Sequence, residues 1–137
     1  MKRKCVFLAV FSAASAVLSL LPDGVAMYWG HQNPDGTIGL VRKTYPYFST
    51  LPAAYGNVWP LLTGILSCLL SGISLAGILT GRAGKGIRGV SAAAFAASVA
   101  AMAVPCVFLA EHYVSVPSVV IPVLLGTSAR LACGRKG

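Results

Sequence analysis

Side chains that could do acid-base or metal chemistry are few in this 137-residue chain. His31 and Asp35 lie between the first two apolar runs, and Glu111 and His112 follow the third. Imidazole and carboxylate groups can bind metals or transfer protons, yet the spacing of these four fits no ligand pattern. A membrane enzyme that uses His31, Glu111 and His112 is an alternative, but solvated surface residues are the better interpretation. No enzymatic activity, catalytic residue or metal site is predicted.

The stretch Gly84-Lys85-Gly86-Ile87-Arg88-Gly89 matches the phosphate-binding pattern GxGxxG. A dinucleotide site needs a preceding strand and a βαβ unit, whereas this stretch joins two long apolar runs. No cofactor is therefore predicted. A loop with several cations should instead attract anionic lipid headgroups. The residues predicted to make these contacts are Arg82, Lys85 and Arg88.

The other reactive groups exclude two further classes of membrane protein. The cysteines lie in or beside apolar runs, and no two are two residues apart, so neither a zinc site nor a disulfide framework is indicated. The outer-face cysteine pair of a thiol oxidoreductase is missing as well. Ion-coupled transporters usually carry an ionisable residue inside the membrane, and the apolar runs contain none. Ion-coupled transport is thereby disfavoured.

The composition is that of a membrane protein. The chain is 56% hydrophobic and 10% charged, with a mean hydropathy of +0.77, whereas soluble domains are roughly 25% charged. The net charge of +8 raises the question of nucleic acid binding. Its basic residues lie at the edges of apolar runs, where they would meet lipid headgroups, and so no nucleic acid partner is predicted.

Four windows without ionisable residues predict four transmembrane helices: 5–21, 58–79, 90–110 and 114–129. A hydrocarbon core about 30 Å thick needs about 20 helical residues, and the shorter windows gain length from their edges. The first window also resembles a signal peptide, but its 17 residues exceed the usual apolar region of about 7 to 15 residues, which favours an uncleaved span. The predicted fold is an all-α membrane bundle of four helices, forming one domain over residues 1–137.

Charge sets the predicted orientation. Nine of the eleven basic residues fall on one side of the four-span arrangement, and all three acids fall on the other. The positive-inside rule places the nine in the cytoplasm, with both termini. The chain is therefore predicted to be a multi-pass protein of the plasma membrane.

The sizeable outer loop, residues 22–57, is predicted to contain a short hairpin. Asn33-Pro34-Asp35-Gly36 has the residue types of a type I turn, and β-forming residues flank it on both sides. Aromatic residues crowd the second half of the loop and the start of the next span, more densely than an interface belt requires. We expect a partner-binding surface formed by Tyr45, Tyr47, Phe48, Tyr55 and Trp59. The alternative is that these rings lie in the headgroup region and seat the hairpin.

Small residues predict how the helices pack. Close packing in lipid favours Gly, Ala and Ser at helix contacts. The third span is small on every side, which predicts that it is the central helix, with contacts through Ala93, Ala97 and Ala101. Gly77 and Gly81 of the second span have GxxxG spacing. Pro105 and Pro122 lie at one depth in the third and fourth spans, and paired kinks there could open a shallow outer vestibule.

The second half of the outer loop resembles a known group of proteins. Tyr45-Pro46-Tyr47-Phe48-Ser49-Thr50-Leu51-Pro52 and Tyr55-Gly56-Asn57-Val58-Trp59-Pro60-Leu61-Leu62-Thr63 are similar to the loop-to-helix stretch of small uncharacterised four-span membrane proteins of Firmicutes. The resemblance implies a bacterial plasma membrane and supplies no activity or catalytic residues.

Together these features predict a structural, accessory or protein-interaction component without catalysis of its own. Its partners are the lipid bilayer and either another membrane protein or further copies of itself. The alternative is a binder or facilitator of an apolar or lipid-like molecule in the vestibule near Pro105 and Pro122. A lined cavity of about 300 Å³ or more would favour this alternative.

Overall fold

The computed structural model describes residues 2–54, 57–81, 86–109 and 115–133, apart from the side chains of Lys2 and of residues 105–109. Helices dominate, and two strands lie between the first two long helices. In chain order the elements are α1 (Lys2–Ser19), β1 (Val25–Gln32), β2 (Ile38–Tyr45), α2 (Thr50–Ala54), α3 (Trp59–Thr80), α4 (Ile87–Leu109) and α5 (Val116–Cys133).

Three of the described helices are long and apolar enough to cross a membrane: Trp59–Thr80, Ile87–Val104 and Val116–Cys133. This result supports the prediction of a helical membrane protein, and α3, α4 and α5 begin and end within a few residues of the predicted windows. The first helix, α1, is not in this group. It begins with Lys2-Arg3-Lys4, so a smaller part of its length is apolar.

The four long helices form a closed ring. α1 packs against α3 and α5, and α4 also packs against α3 and α5. The prediction that the third span is the central helix is therefore wrong, because each long helix has two main neighbours. Small residues allow close approach wherever two helices meet, and here all four helices carry them.

Hydrogen bonds between distant residues show that α5 runs in the opposite direction to both α1 and α4. The Ser115 hydroxyl, just before α5, donates to the Gly24 carbonyl, just after α1, at 3.0 Å. The Arg88 Nε, in the first turn of α4, donates to the Ala132 carbonyl at the end of α5, at 3.2 Å. The end with Gly24 and Ser115 carries the strands and is called the hairpin end. The other is called the opposite end.

Hydroxyl groups occupy much of the bundle interior beside buried Leu70, Ile121 and Leu125, while many other large aliphatic side chains lie outside. The Ser71 hydroxyl donates to the Ser12 hydroxyl at 3.0 Å and so joins α3 to α1. Most of the other hydroxyls bond a carbonyl three or four residues earlier in their own helix, which is how serine and threonine are satisfied inside helices. The serines and threonine with no exposed surface are Ser12, Ser15, Ser19, Thr63, Ser67, Ser74, Ser91, Ser98 and Ser128.

The predicted packing residues are only partly at helix contacts. Ala97 and Ala101 are buried, but Ala93 is exposed and Ala94 is buried in its place, because helical spacing puts positions 94, 97 and 101 on one side. Gly77 is buried in α3. Gly81 instead ends that helix with a φ of 69°, and a Cβ there would have no atom within 4 Å. Its role is a left-handed helix terminus, so the GxxxG spacing is not a contact motif.

Two aromatic rings pack directly against glycines of the helices. The spacing of residues in the sequence did not reveal these contacts. A Cβ on Gly64 of α3 would lie 2.9 Å from the Phe48 ring, and a Cβ on Gly126 of α5 would lie 3.0 Å from the Phe95 ring. Each glycine therefore seats a ring that a larger residue would displace.

The predicted hairpin is confirmed. β1 and β2 pair antiparallel, from Val25 opposite Tyr45 to Gln32 opposite Ile38. The Gly36 amide donates to the Asn33 carbonyl at 2.9 Å, and Gly36 has a φ of 84°, as in three-residue hairpin loops that end in a left-handed residue. The Thr37 hydroxyl and amide both donate to Asp35 Oδ1, and these bonds lower the pKa of the Asp35 carboxyl.

Candidate functional site

The base of the hairpin is fixed to the bundle. Val25 is buried, and the Tyr47 side chain is only 1% exposed. The Tyr47 amide donates to the Ser19 carbonyl of α1 at 3.0 Å. A Cβ on Gly24 would lie 2.7 Å from Tyr47 Cδ1, so the ring rests directly on the chain that leaves α1. Burial raises the pKa of Tyr47 to about 12.

The five aromatic residues predicted to form one interaction surface do not share a surface. Tyr47 points into the core, and Phe48 packs on Gly64 of α3. Tyr45 is half-buried where β2 ends, and Trp59 is exposed at the start of α3. The fifth, Tyr55, lies outside the described residues. Tyr47 and Phe48 therefore hold the loop on the bundle in this conformation.

The outer half of the hairpin exposes large aliphatic side chains instead. Ile38 is 78% exposed and Leu40 is 72% exposed. These positions are two apart, so both side chains lie on one face of β2. The described sheet contains β1 and β2 alone, and both strands are therefore edges. Sequence reasoning missed this surface, although two large aliphatic residues spaced two apart in a predicted strand, Ile38 and Leu40, were the signal that could have found it.

A groove of about 650 Å³ lies at the hairpin end, between the end of α1, the inner half of β2 and the start of α5. Most of its walls are apolar. Two exposed residues of opposite charge, Asp23 and Arg42, also line it. The complete lining is Leu18, Leu21, Pro22, Asp23, Arg42, Ser115, Val116, Pro117 and Val120.

The two charges in the groove do not neutralise each other directly. The Thr44 hydroxyl donates to Asp23 Oδ1 at 3.0 Å. Asp23 and Arg42, which both belong to the described residues, form no ion pair, because no nitrogen of Arg42 lies within 4.0 Å of an Asp23 carboxylate oxygen. A carboxylate and a guanidinium are thus both available to a ligand in this groove.

The groove is not in the place where a vestibule was predicted. Pro122 is buried in α5 and does not line it, and the Pro105 side chain lies outside the described residues. The prolines that do line it are Pro22 and Pro117. The groove therefore lies beside the end of α1 and the start of α5, rather than between α4 and α5.

The remaining candidate residues are dispersed. Arg88 is exposed at the opposite end, while the other two residues predicted to contact headgroups, Arg82 and Lys85, lie outside the described ranges. His31 is exposed in β1, and Glu111 and His112 are not described. In the part of the chain that is described, no group of three His, Cys, Asp or Glu residues could hold a metal ion. Cys5, Cys68 and Cys133 are free thiols.

No protein family, curated protein or solved structure gives a significant match to this chain. Function is therefore argued from the hairpin and the groove themselves.

Proposed function

We propose that this protein is an accessory component of a membrane that binds another membrane protein through the outer half of its hairpin and has no catalysis of its own. The observation that carries this proposal is the exposure of Ile38 and Leu40 on a hairpin whose base is fixed.

The energetics favour a protein partner at this surface. Burial of an exposed Ile or Leu side chain contributes roughly 1.5 to 3 kcal/mol, and an unpaired strand edge offers amides and carbonyls to an extended segment. The base is already ordered by Tyr47 and by the Ser115–Gly24 hydrogen bond. Binding therefore needs little further ordering of the hairpin.

Charge favours a different protein over a second copy. Lys43 is exposed on the opposite face of β2 from Leu40, and a second copy that paired along the strand edge would bring the same cation to the interface. An extended outer segment that carries an acidic residue would complement Lys43 and cover the aliphatic face. Self-association is the alternative outcome for the same surface.

We also propose that α1 is a fourth span and that both termini are cytoplasmic. α1 packs against α3 and α5, and it exposes Phe7, Val10 and Val17, which lipid would cover. The cations Arg3, Lys4, Arg88 and Arg130 belong to the helix termini of the opposite end, and the acids Asp23 and Asp35 belong to the hairpin end. The positive-inside rule then orients the bundle, and the Firmicutes resemblance suggests the plasma membrane of a bacterium.

Cysteine labelling tests this topology in a chain freed of its native cysteines. Thr37→Cys at the hairpin turn should react with an impermeant thiol reagent added outside intact cells. Gly86→Cys, just before α4, should react only after the membrane is opened. The reverse pattern would show that the orientation is inverted, and labelling of Arg3→Cys from outside would show that α1 does not span.

Photocrosslinking tests the partner surface. A photoactivatable residue at Leu40 should capture one membrane protein in the native membrane, whereas the same residue at Val123, an exposed position of α5, should not. Ile38→Ser combined with Leu40→Ser should abolish co-purification of that protein. The matched pair Val119→Ser and Val123→Ser should leave it unchanged.

Two results would contradict the proposal. Crosslinks from Leu40 to lipid alone would show that the aliphatic face rests on the headgroups. Crosslinks to a second copy alone would replace the foreign partner by self-association. Circular dichroism of each variant establishes that the helices are intact.

A second function, the binding of an apolar or lipid-like molecule, is favoured by the groove between α1 and α5. Its volume of about 650 Å³ exceeds the predicted threshold, and pockets for small molecules typically measure about 300 to 1,000 Å³.

A further inference from the structure

We infer that the groove between α1 and α5 binds a zwitterionic phospholipid whose headgroup carries a phosphate and a primary amine, of the phosphatidylethanolamine type. The inference rests on the second function proposed above and on the proposed placement of α1 in the membrane.

The walls of the groove suit an acyl chain. Leu18 lies in the last turn of α1 and Leu21 lies two residues after it, and Val116 and Val120 come from the first turns of α5. Leu21, Val116 and Val120 are exposed, so a hydrocarbon chain laid between the helices would contact all three. The gain is the burial of this apolar surface together with packing contacts that a bulk lipid would make less completely.

The charges suit the two ends of the headgroup. The Arg42 guanidinium can donate two parallel hydrogen bonds to a phosphate. The Asp23 carboxylate can accept from a primary ammonium, and its Oδ1 is already held by the Thr44 hydroxyl, which orients the group and leaves Oδ2 for a ligand. Since Asp23 and Arg42 both line the groove without forming an ion pair, one headgroup can bind both.

The same two residues discriminate between headgroups. A choline headgroup has no N–H to donate to Asp23. A glycerol headgroup has no positive charge, so it would leave the carboxylate uncompensated beside an anionic lipid. A primary amine satisfies Asp23 and a phosphate satisfies Arg42. The groove therefore favours a headgroup that carries both a phosphate and a primary amine.

The groove lies at the depth where a headgroup would be found. Pro22 and Asp23 follow α1 directly, and Ser115 precedes α5. In the proposed topology, these helix ends lie at the outer surface of the hydrocarbon core, with the apolar walls below them. A bound lipid would thus keep its ordinary orientation in the outer leaflet.

Native mass spectrometry of the full chain in detergent tests the inference. The probe is an equimolar mixture of phosphatidylethanolamine, phosphatidylcholine and phosphatidylglycerol with identical acyl chains. We expect the ethanolamine lipid to be retained roughly fivefold to tenfold over the other two, the effect of one charge-assisted hydrogen bond. A parallel arm with soluble phosphoethanolamine should show much weaker binding, because the acyl chain is missing.

Five variants locate the bound lipid. Asp23→Asn should abolish the preference for the ethanolamine over the choline lipid, and Arg42→Gln should weaken retention of both. Lys43→Gln removes a cation that does not line the groove and should change neither. Val120→Trp should block the groove, while Val119→Trp, at an exposed position of the same helix that does not line the groove, should not.

Three results would overturn the inference in distinguishable ways. Equal retention of all three lipids, still lost in Val120→Trp, would leave a lipid-binding groove without headgroup selection. Retention that Val120→Trp does not affect would mean that the lipid lies elsewhere, and the second proposed function would fail as well. Equally strong binding of soluble phosphoethanolamine would identify a headgroup site without a role for the acyl chain.

Discussion

The two halves of the hairpin differ sharply, although the same two strands run through both. At the base, Val25 and Ala26 are buried, and Tyr47 is wedged against Gly24. In the outer half, Ile38 and Leu40 face away from the bundle. The difference shows that one supersecondary element can change its surroundings along its length, with attachment to the bundle at one end and an exposed aliphatic face at the other.

This division has a physical reason. A two-stranded hairpin is marginally stable by itself in water. The base supplies the missing contacts through the bundle, and the turn closes the free end with bonds from Thr37 to Asp35. The residues between these two ends do not have to be buried for the hairpin to persist. They are therefore free to expose aliphatic side chains.

The largest expected effect comes from removing the ring at the base. Tyr47→Ala should lower the free energy of unfolding by about 3 to 5 kcal/mol, because it deletes a buried aromatic side chain and leaves a cavity. Leu40→Ala, in the outer half, should change it by about 0.5 kcal/mol or less. Denaturant titration of the detergent-solubilised protein measures both. Equal losses for the two variants would contradict the division of the hairpin.

Alkaline pH should provide a second way to distinguish the base of the hairpin from its outer half. Burial raises the pKa of Tyr47 from 10.0 to about 12, and so the folded state favours the neutral phenol. Below pH 10, Tyr47 is neutral in both states and its stabilisation is complete. Between pH 10 and 12 the unfolded chain ionises first, and the free energy of unfolding should fall by about 2 to 3 kcal/mol.

Tyr47→Phe should remove this part of the alkaline loss, because it removes the titrating group. Tyr45→Phe, at a half-buried ring, controls for the loss of a hydroxyl. Unfolding curves recorded from pH 9 to 12 would show the difference as a shallower pH dependence in the Tyr47→Phe protein. Parallel curves for wild type and Tyr47→Phe would mean that the ring is solvated in the folded state.

The smallest expected effect comes from substituting one glycine in each half of the hairpin. A Cβ at Gly24 would lie 2.7 Å from Tyr47 Cδ1 and 3.0 Å from the Tyr45 carbonyl, whereas a Cβ at Gly30 would meet only Ile38 Cγ2 at 3.6 Å. Gly24→Ala should therefore cost about 1 to 3 kcal/mol through overpacking. Gly30→Ala should remain within about 0.5 kcal/mol of wild type. Thermal unfolding in detergent ranks the two, and a neutral Gly24→Ala would show that the ring can move aside.

Features with a local chemical cause could be predicted from the sequence. The turn at Asn33-Pro34-Asp35-Gly36 follows from a rigid Pro and a Gly that accepts positive φ, and the hairpin was found where these residues placed it. The helices α3, α4 and α5 follow from long runs without charges. These signals depend on neighbouring residues, and so no knowledge of the tertiary contacts was needed.

Features that depend on whether a side chain contacts lipid or another part of the protein could not be predicted. A membrane helix is apolar towards lipid and towards its neighbours, so hydropathy does not say which face of α4 is buried, and Ala93 was chosen where Ala94 is the contact. Aromatic residues likewise suit a headgroup layer or a core, which is why Tyr47 was placed on a surface. The groove depends on how α1, β2 and α5 meet, and no single segment encodes that.

The hydrogen bond from Ser115 to the Gly24 carbonyl joins residues that are 91 positions apart. During synthesis, Gly24 leaves the ribosome long before Ser115 exists, so the hairpin base must wait for this bond until three further helices have been made. The outer loop therefore acquires its final anchorage late in biogenesis. A ribosome-stalled chain that ends before Ser115 would carry the strands without this connection, so completion of the hairpin base would report that synthesis has reached the last described helix.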